Sequence, residues 1–258
     1  MSFPIIALWA HPRSMSTATE RVMRERGDLD CAHEPFMYDY YVERGAGVTP
    51  HFDVQEDHPA AYDDIRDMLL RRAETRGVFF KDMSYYVMPR LLEDARFRDR
   101  VRHAFLIRNP EAAIASYHRL DPNFSEEEIG ITAQWEHYDG LCAAGHDPVV
   151  LISEAIRDAP AREIGRWWRS VGLGAAPHAF EWEGDAIPDD WEQVGAWHGA
   201  VSQSTGIRPM EPGHEARAHE KFERAAEEAP HLRDWLARLR GPYERLRAVA
   251  ERQQTENG

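Results

Sequence analysis

Phe3-Pro-Ile-Ile-Ala-Leu-Trp-Ala10, followed at once by His11-Pro-Arg-Ser-Met-Ser-Thr17, is the stretch from which the rest of the chain is read. An unbroken apolar run fits a strand covered by helices on both faces, whereas a half-exposed strand would alternate. It reads as the first strand of a parallel sheet. Thr17-Ala-Thr-Glu20 has the spacing of a capping box, which predicts a helix with Thr17 as N-cap, Glu20 reaching back, and an end near Arg26, before Gly27. Residues 11–16 then form a short strand-to-helix turn.

The same alternation continues outward. A second short strand is predicted over Leu29 to Ala32; the aromatic segment Phe36 to Tyr41 has no clear period and is left unassigned. Pro59 opens a helix with Ile65, Met68 and Leu69 on one face, ending near Gly77. Val78 to Phe80 is a third strand with Lys81 at its carboxyl end. A helix from Tyr85 to Phe97 leads to a fourth strand, Val101 to Ile107. Asn109-Pro110-Glu111 then supplies an N-cap, a first-turn proline and an acidic first turn for a helix to about Arg119. Ser125 and Glu128 make a second capping box, for a helix reaching Ala143, and Pro148 to Ile152 is the fifth strand. Five strands alternating with helices predict an α/β doubly wound parallel sheet, with a helical C-terminal part from Pro160 interrupted by a long loop region, Gly172 to Pro212. The chain reads as one domain over residues 1–252, with 253–258 a frayed tail.

Composition narrows the function classes. At 258 residues and 43% hydrophobic, the chain can bury roughly 70–75% of its unfolded surface around one core. Its apolar runs fall short of the ~18–20 residues of a membrane span, and the N-terminus lacks a basic start before a long apolar stretch. Two cysteines, Cys31 and Cys142, make no disulfide framework and no zinc spacing, so the reading is a reducing, cytoplasmic setting without a membrane. With 45 acidic and 31 basic residues the net charge is -14, which repels nucleic acid and requires any anionic ligand to be small and met by a local basic cluster. The positive charge is almost all Arg, since the lysines are Lys81 and Lys221 alone.

In an open α/β sheet ligands bind beyond the carboxyl ends of the strands. After the first strand, residues 11–17 bring hydroxyls and an Arg to a helix N-terminus, whose N–H groups and dipole favour an anion; a plain capped helix has the same spacing. No GxxxxGK[ST] occurs, which counts against ordinary magnesium-dependent triphosphate hydrolysis. After the fourth strand, Arg108 and Ser116 can meet one phosphate from two sides, the Arg by its bidentate fork, or can instead be an Arg on a surface carboxylate and a solvated Ser.

Together the two segments resemble the sulfotransferase superfamily, which uses 3′-phosphoadenosine 5′-phosphosulfate (PAPS). His11-Pro-Arg-Ser-Met-Ser-Thr17 is similar to that family's PRSGST-type loop, and Arg108-Asn-Pro-Glu-Ala-Ala-Ile-Ala-Ser116-Tyr to its RNP…SxY element. Val149 to Glu154, Pro160 and Gly172-Leu173 look like the family's strand, acidic turn and "LGL" ending, so the resemblance covers about residues 3–173. It implies a P-loop-like α/β fold and a metal-free transfer of a sulfuryl group from PAPS to a hydroxyl or amine of a small organic acceptor. By the resemblance Arg13, Ser14, Met15, Ser16 and Thr17 hold the 5′-phosphosulfate, and Arg108 and Ser116 the 3′-phosphate. Arg208, in Trp197 to Pro209, adds to that clamp. Arg13 and then Lys81 are the candidates to neutralise charge on the leaving phosphate; a solvated strand-end lysine is the alternative for Lys81.

Two departures matter. Met15 stands where Gly is usual, so the helix is expected to begin differently or the loop to sit more loosely. The histidine that many members carry after the third strand is missing from Lys81-Asp82-Met83-Ser84. Some branches use a Glu after the second strand, and His33-Glu34-Pro35-Phe36 lies there. Glu34, in aromatic surroundings, is therefore the expected general base, with His33 and Asp82 behind it; a loop carboxylate or a capping partner is the other reading. Phe36, Tyr38, Tyr40, Tyr41, Tyr85 and Tyr86 either line the acceptor pocket or are ordinary core. A non-catalytic nucleotide-binding protein of the same fold and a P-loop-like small-molecule kinase are the alternatives, and the reading permits a homodimer.

Overall fold

The computed structural model describes residues 2–47, 52–184, 188–191 and 203–256. The opening apolar run becomes β1 (Ile5–Ala10), every residue of which is fully buried. It lies in the middle of a five-stranded parallel sheet with β2 (Leu29–His33), β3 (Gly77–Met83), β4 (Val101–Ile107) and β5 (Val149–Ile152), in the order β2-β3-β1-β4-β5. The helices in chain order are α1 (Ser16–Glu25), α2 (Tyr62–Arg72), α3 (Ser84–Val87), α4 (Arg90–Glu93), α5 (Ala95–Arg98), α6 (Pro110–His118), α7 (Glu126–Ile129), α8 (Ile131–Ala143), α9 (Ser153–Asp158), α10 (Pro160–Ser170), α11 (His214–Glu228) and α12 (His231–Glu256). Among the described residues no helix is long and apolar enough to cross a membrane.

Successive residues of β1 point to opposite faces and so feed two cores. Ile6 and Leu8 pack with Val22 and Met23 of α1 and Ile164, Trp167 and Trp168 of α10; Ile5, Ala7 and Trp9 face Leu141, Phe222, Leu232 and Leu246 of α8, α11 and α12. Both faces are thus covered, as the unbroken run requires.

Four local expectations are corrected. α1 starts at Ser16, not after a Thr17 cap, because Met15 takes the N-cap position in left-handed backbone (φ 72°, ψ 18°) and no side chain caps the helix. The single helix expected from Tyr85 to Phe97 is three short ones: Pro89 has no N–H and pushes Met88 into extended backbone, and Asp94 caps the third piece through Phe97 N–H. The capping box of Ser125 and Glu128 forms as expected, yet its helix stops at Gly130 (φ 78°) and α8 starts anew; a Cβ there would lie 3.1 Å from Tyr85. The tail from Gln253 is ordered helix through Glu256. Gln253 accepts from Val150 N–H (2.9 Å) and donates to Pro148 C=O (3.0 Å), which covers the free edge of β5. Smaller shifts are α2, which starts at Tyr62 rather than Pro59, and β3, which runs on to Met83 and so encloses Lys81. The unassigned aromatic segment ends in a π-helical turn, Asp39–Glu43.

β1 is the strand at which the chain order reverses, with β3 on one side and β4 on the other. The loops after β1 and β4 therefore flank the crevice where an open α/β sheet binds its ligand.

Candidate functional site

The cradle is built from backbone. Ser14 N–H donates to the His11 carbonyl (3.2 Å), closing a tight turn, and Arg13 (φ 64°) and Met15 (φ 72°) both adopt left-handed conformations on either side of Ser14. Such conformations cost roughly 1–3 kcal/mol each in residues other than Gly and persist where the surroundings hold them. Met15 thus supplies the backbone form that a Gly would adopt freely. Alternating backbone of this kind makes a concavity of amides suited to an anion. The dipole of α1 reinforces it at the helix N-terminus, and no acidic residue lies in the first turn. The Ser14 hydroxyl is buried and has no hydrogen-bond partner among the described residues. A buried donor without a partner is costly, and Ser14 lies between Arg13 and Met15, which both border the adjoining cavity. A cavity of about 240 Å³ opens here, lined among others by Arg13, Ser16, Thr17, Arg108, Ser153 and Arg208.

The second expected cluster is fastened to the first. Arg108 donates through a guanidinium nitrogen to the Arg13 carbonyl (2.6 Å), and its backbone N–H donates to His11 Nε2 (3.0 Å). Arg13 Nε donates to Ser116 Oγ (3.0 Å), so a residue of the cradle already touches the hydroxyl of the clamp. Burial, then the charges of Arg108 and Arg119, lower Arg13 to about 10, which leaves it cationic at neutral pH, and burial lowers Arg108. Burial also holds His11 neutral, lowering it to about 4, which keeps Nε2 an acceptor for Arg108 N–H. The Asn109 side chain caps α6 as expected, accepting from Glu111 N–H at 2.9 Å. A wider crevice of about 1230 Å³ continues from Arg13, Arg108 and Ser116 past Arg119 to Lys221 and Arg224 of α11. Arg208 borders the cradle cavity, and its carbonyl accepts from Arg157 Nε (2.8 Å); residues 197–202 of the loop expected around it lie outside the described residues.

On the other side of β1 the candidate catalytic residues gather at the ends of β2 and β3. Lys81 is buried inside β3, not solvated at its end, and its Nζ donates to Glu34 Oε1. Glu34 lies just beyond β2 with left-handed backbone (φ 43°). The Glu34 carboxylate is met by the Lys81 ammonium. His33 Nε2 lies 3.8 Å from Glu34 Oε1, and His33 Nδ1 lies 2.7 Å from Glu20 Oε2. Burial, then the Lys81 charge, hold His33 well below its ordinary value, so it is neutral. Asp82 accepts from Phe36 N–H (2.8 Å) and Met83 N–H (3.1 Å), and burial, then the Glu34 charge, raise its carboxyl well above the ordinary range.

Phe36, Tyr38, Tyr40, Tyr85 and Tyr86 are core, with Tyr41 packed against them. The Tyr85 and Tyr86 rings stand 4.6 Å apart and Tyr40 and Tyr85 5.2 Å, filling the space next to Glu34's strand ends with phenols. Burial raises both Tyr85 and Tyr86 well above the ordinary range.

Sequence reading passed over four participants. Glu20, read as a capping partner, is fully buried and serves His33, Arg24 and Trp191 instead. Ser153, just after the fifth apolar run, lies within hydrogen-bond distance of the Ser14 and Ile107 carbonyls (2.8 Å to the latter) and ties cradle to β4; its place at a strand end was the available signal. Asp190 and Trp191, from the Trp-rich loop region, had no local signal. Among the described residues no three His, Cys, Asp or Glu side chains converge as a metal site requires.

A family profile described as "Sulfotransferase domain" matches residues 4–228. Among solved structures, the sulfotransferase domain from the Synechococcus PCC 7002 olefin synthase aligns with 88% of this chain and 95% of its own, at 19% identity and a TM-score of 0.55. The sulfotransferase domain from the curacin biosynthetic pathway aligns with 88% and 97%, at 13% identity and 0.52. These likenesses show the fold. Among curated proteins, branched-chain-amino-acid aminotransferase-like proteins 2 and 1 of Arabidopsis thaliana are 23% and 22% identical over 79% of this chain. The match spans 36% of the length of each.

Proposed function

The chain belongs to the sulfotransferase domain family, and from that membership we propose that it moves a sulfuryl group from PAPS to a hydroxyl or amine of a small organic acceptor, without a metal, in the cytoplasm. One observation carries the proposal: a left-handed turn that leaves the buried Ser14 hydroxyl without a partner, joined through Arg13 to Ser116 and Arg108. Two anion-binding loops are thereby linked into one surface, which suits a nucleotide charged at both ends. The 36% span means that the aminotransferase-like relatives' whole-protein activity is not carried over.

When bound, the donor supplies the sulfuryl group, whose bond to the phosphate oxygen breaks as the acceptor forms its own bond to sulfur. The chain's residues do the rest. The α1 N-terminus, Ser14, Ser16 and Thr17 hold the 5′ end and fix its direction. Arg108 and Ser116 take the 3′-phosphate, Arg108 by a charge-assisted fork. Arg13, bonded to Ser116 and lining both cavities, stands between the two ends and stabilises negative charge as it grows on the leaving phosphate. Glu34 takes the acceptor's proton, and Lys81 holds the Glu34 carboxylate in place.

Incubating the protein and EDTA with PAPS labelled in its sulfuryl group and a mixture of hydroxyl- and amine-bearing metabolites tests this. The expected result is label in an organic product, with adenosine 3′,5′-bisphosphate released in equal amount. No labelled product, with tight binding of the bisphosphate, would leave a nucleotide-binding protein without turnover. Phosphate transfer from a magnesium nucleoside triphosphate would point to the kinase alternative.

A further inference from the structure

The geometry points to Glu20 as a positioning residue that holds His33 in one tautomer, protonated at Nδ1, so that no ring N–H on Nε2 competes for the Glu34 oxygen that takes the acceptor's proton. The kinetic part rests on the sulfotransfer reading; the tautomer does not.

Glu20 has no exposed surface and is surrounded by donors. Arg24 Nε (2.8 Å) and Trp191 Nε1 (2.8 Å) both approach Oε1, while His33 Nδ1 lies 2.7 Å from Oε2. A carboxylate only accepts, so His33 Nδ1 must carry the proton. In a neutral imidazole the other nitrogen is then an acceptor, and it is this nitrogen that lies 3.8 Å from Glu34 Oε1. The surroundings fix the arrangement from every side. Arg24 also pairs with Asp190 (2.5 Å), Asp190 accepts from His33 backbone N–H (3.2 Å), and the Trp191 ring packs 5.9 Å from the imidazole. Lys81 reaches the group from β3, and Asp82, which feels the Glu34 and Lys81 charges, is held by Phe36 N–H.

The step balances simply. The acceptor's O–H or N–H bond breaks, its electron pair forms the bond to sulfur, and the leaving phosphate oxygen keeps the pair from the broken S–O bond. The proton goes to Glu34, whose Oε1 the neutral His33 leaves without a competing ring N–H. Glu34 gives the proton to solvent water once the product has left and returns to its Lys81-paired form.

Glu20→Gln inverts this logic. Its amide oxygen is drawn to Arg24 and Trp191, leaving the NH₂ against His33 Nδ1, which must then accept, so that the proton moves to Nε2. Long-range ¹H–¹⁵N correlation of the labelled protein, with His33→Gln used for assignment, reads the tautomer directly. At pH 7 the wild type is expected to show His33 protonated at Nδ1 alone, Glu20→Gln to show Nε2 protonation, and Glu20→Asp to keep the wild-type pattern. In parallel, Glu20→Gln should lower sulfuryl transfer about 10²-fold while changing adenosine 3′,5′-bisphosphate affinity less than about twofold. A wild-type His33 protonated at Nε2 overturns the inference, and this reading needs no variant to fold. So does a Glu20→Gln protein with altered tautomer and unchanged transfer. If instead the wild type transfers nothing and ignores the bisphosphate, the sulfotransfer reading fails while the tautomer still decides the Glu20–His33 coupling.

Discussion

Glu34→Gln is expected to lower sulfuryl transfer by about 10²–10⁴-fold, the range that a positioned general base contributes, and to leave nucleotide affinity unchanged. The substitution keeps shape and hydrogen-bonding capacity while removing the basic oxygen. Glu34 lies beyond β2, across β3 and β1 from the Arg108–Ser116 clamp, so the nucleotide should not sense the change. It does remove the negative partner of the buried Lys81 ammonium, and an unpaired buried charge is strongly destabilising. The assay therefore needs a companion, Glu34→Gln with Lys81→Met, in which neither charge remains. If both proteins fold and transfer at the wild-type rate, the base is elsewhere and the Glu34–Lys81 pair is structural.

Acid should unfold this protein early, and for a reason specific to its histidines. His11 and His103 are both buried and lowered to about 4, chiefly by burial. Each is pinned neutral: His11 Nε2 accepts from Arg108 N–H, and His103 Nδ1 accepts from Trp9 Nε1 at 2.9 Å. A folded pKa below the unfolded value of about 6.5 means that the unfolded chain binds the proton first, so stability is complete above that pH and is lost as pH falls toward 4. The two residues together should cost roughly 3 kcal/mol between pH 6.5 and 5, before most carboxylates titrate. Urea unfolding at half-unit pH steps checks this, and a flat stability across that window would show that one or both imidazoles are already charged in the folded protein. Because His11 joins the cradle to the clamp and titrates in the folded protein at about 4, nucleotide affinity should hold across that window and weaken only as pH approaches 4.

What the sequence made legible follows from range. Asn109-Pro110-Glu111 and Ser125…Glu128 are local chemistry, decided by side chains within one turn of the backbone groups they satisfy, and both form as read. The unbroken run of β1 encodes its two-sided burial in its own composition. Thr17…Glu20 has the same spacing as a capping box and fails, because tertiary partners outbid a local one. Glu20 is drawn to His33, Arg24 and Trp191, and Met15 takes the cap position in left-handed backbone. The breaks at Pro89 and Gly130 were marked by their residues, but a helical period on both sides hid them. For the candidate site, strand-end position pointed to Arg13, Ser14 and Arg108, and spacing from Arg108 to Ser116; the fold brings Arg13, Arg108 and Ser116 together. It could not disclose that Lys81 pairs with Glu34, since residues 47 positions apart meet only once β2 and β3 are aligned in register.

The most direct test of the linked cradle and clamp is calorimetric titration of the protein, in EDTA, with adenosine 3′,5′-bisphosphate and with adenosine 5′-monophosphate. A charge-assisted contact of about 1.5–3 kcal/mol from Arg108 predicts a preference of roughly 10- to 100-fold for the bisphosphate, abolished in Arg108→Ala. Equal affinity for the two nucleotides, or a preference that survives Arg108→Ala, would contradict it.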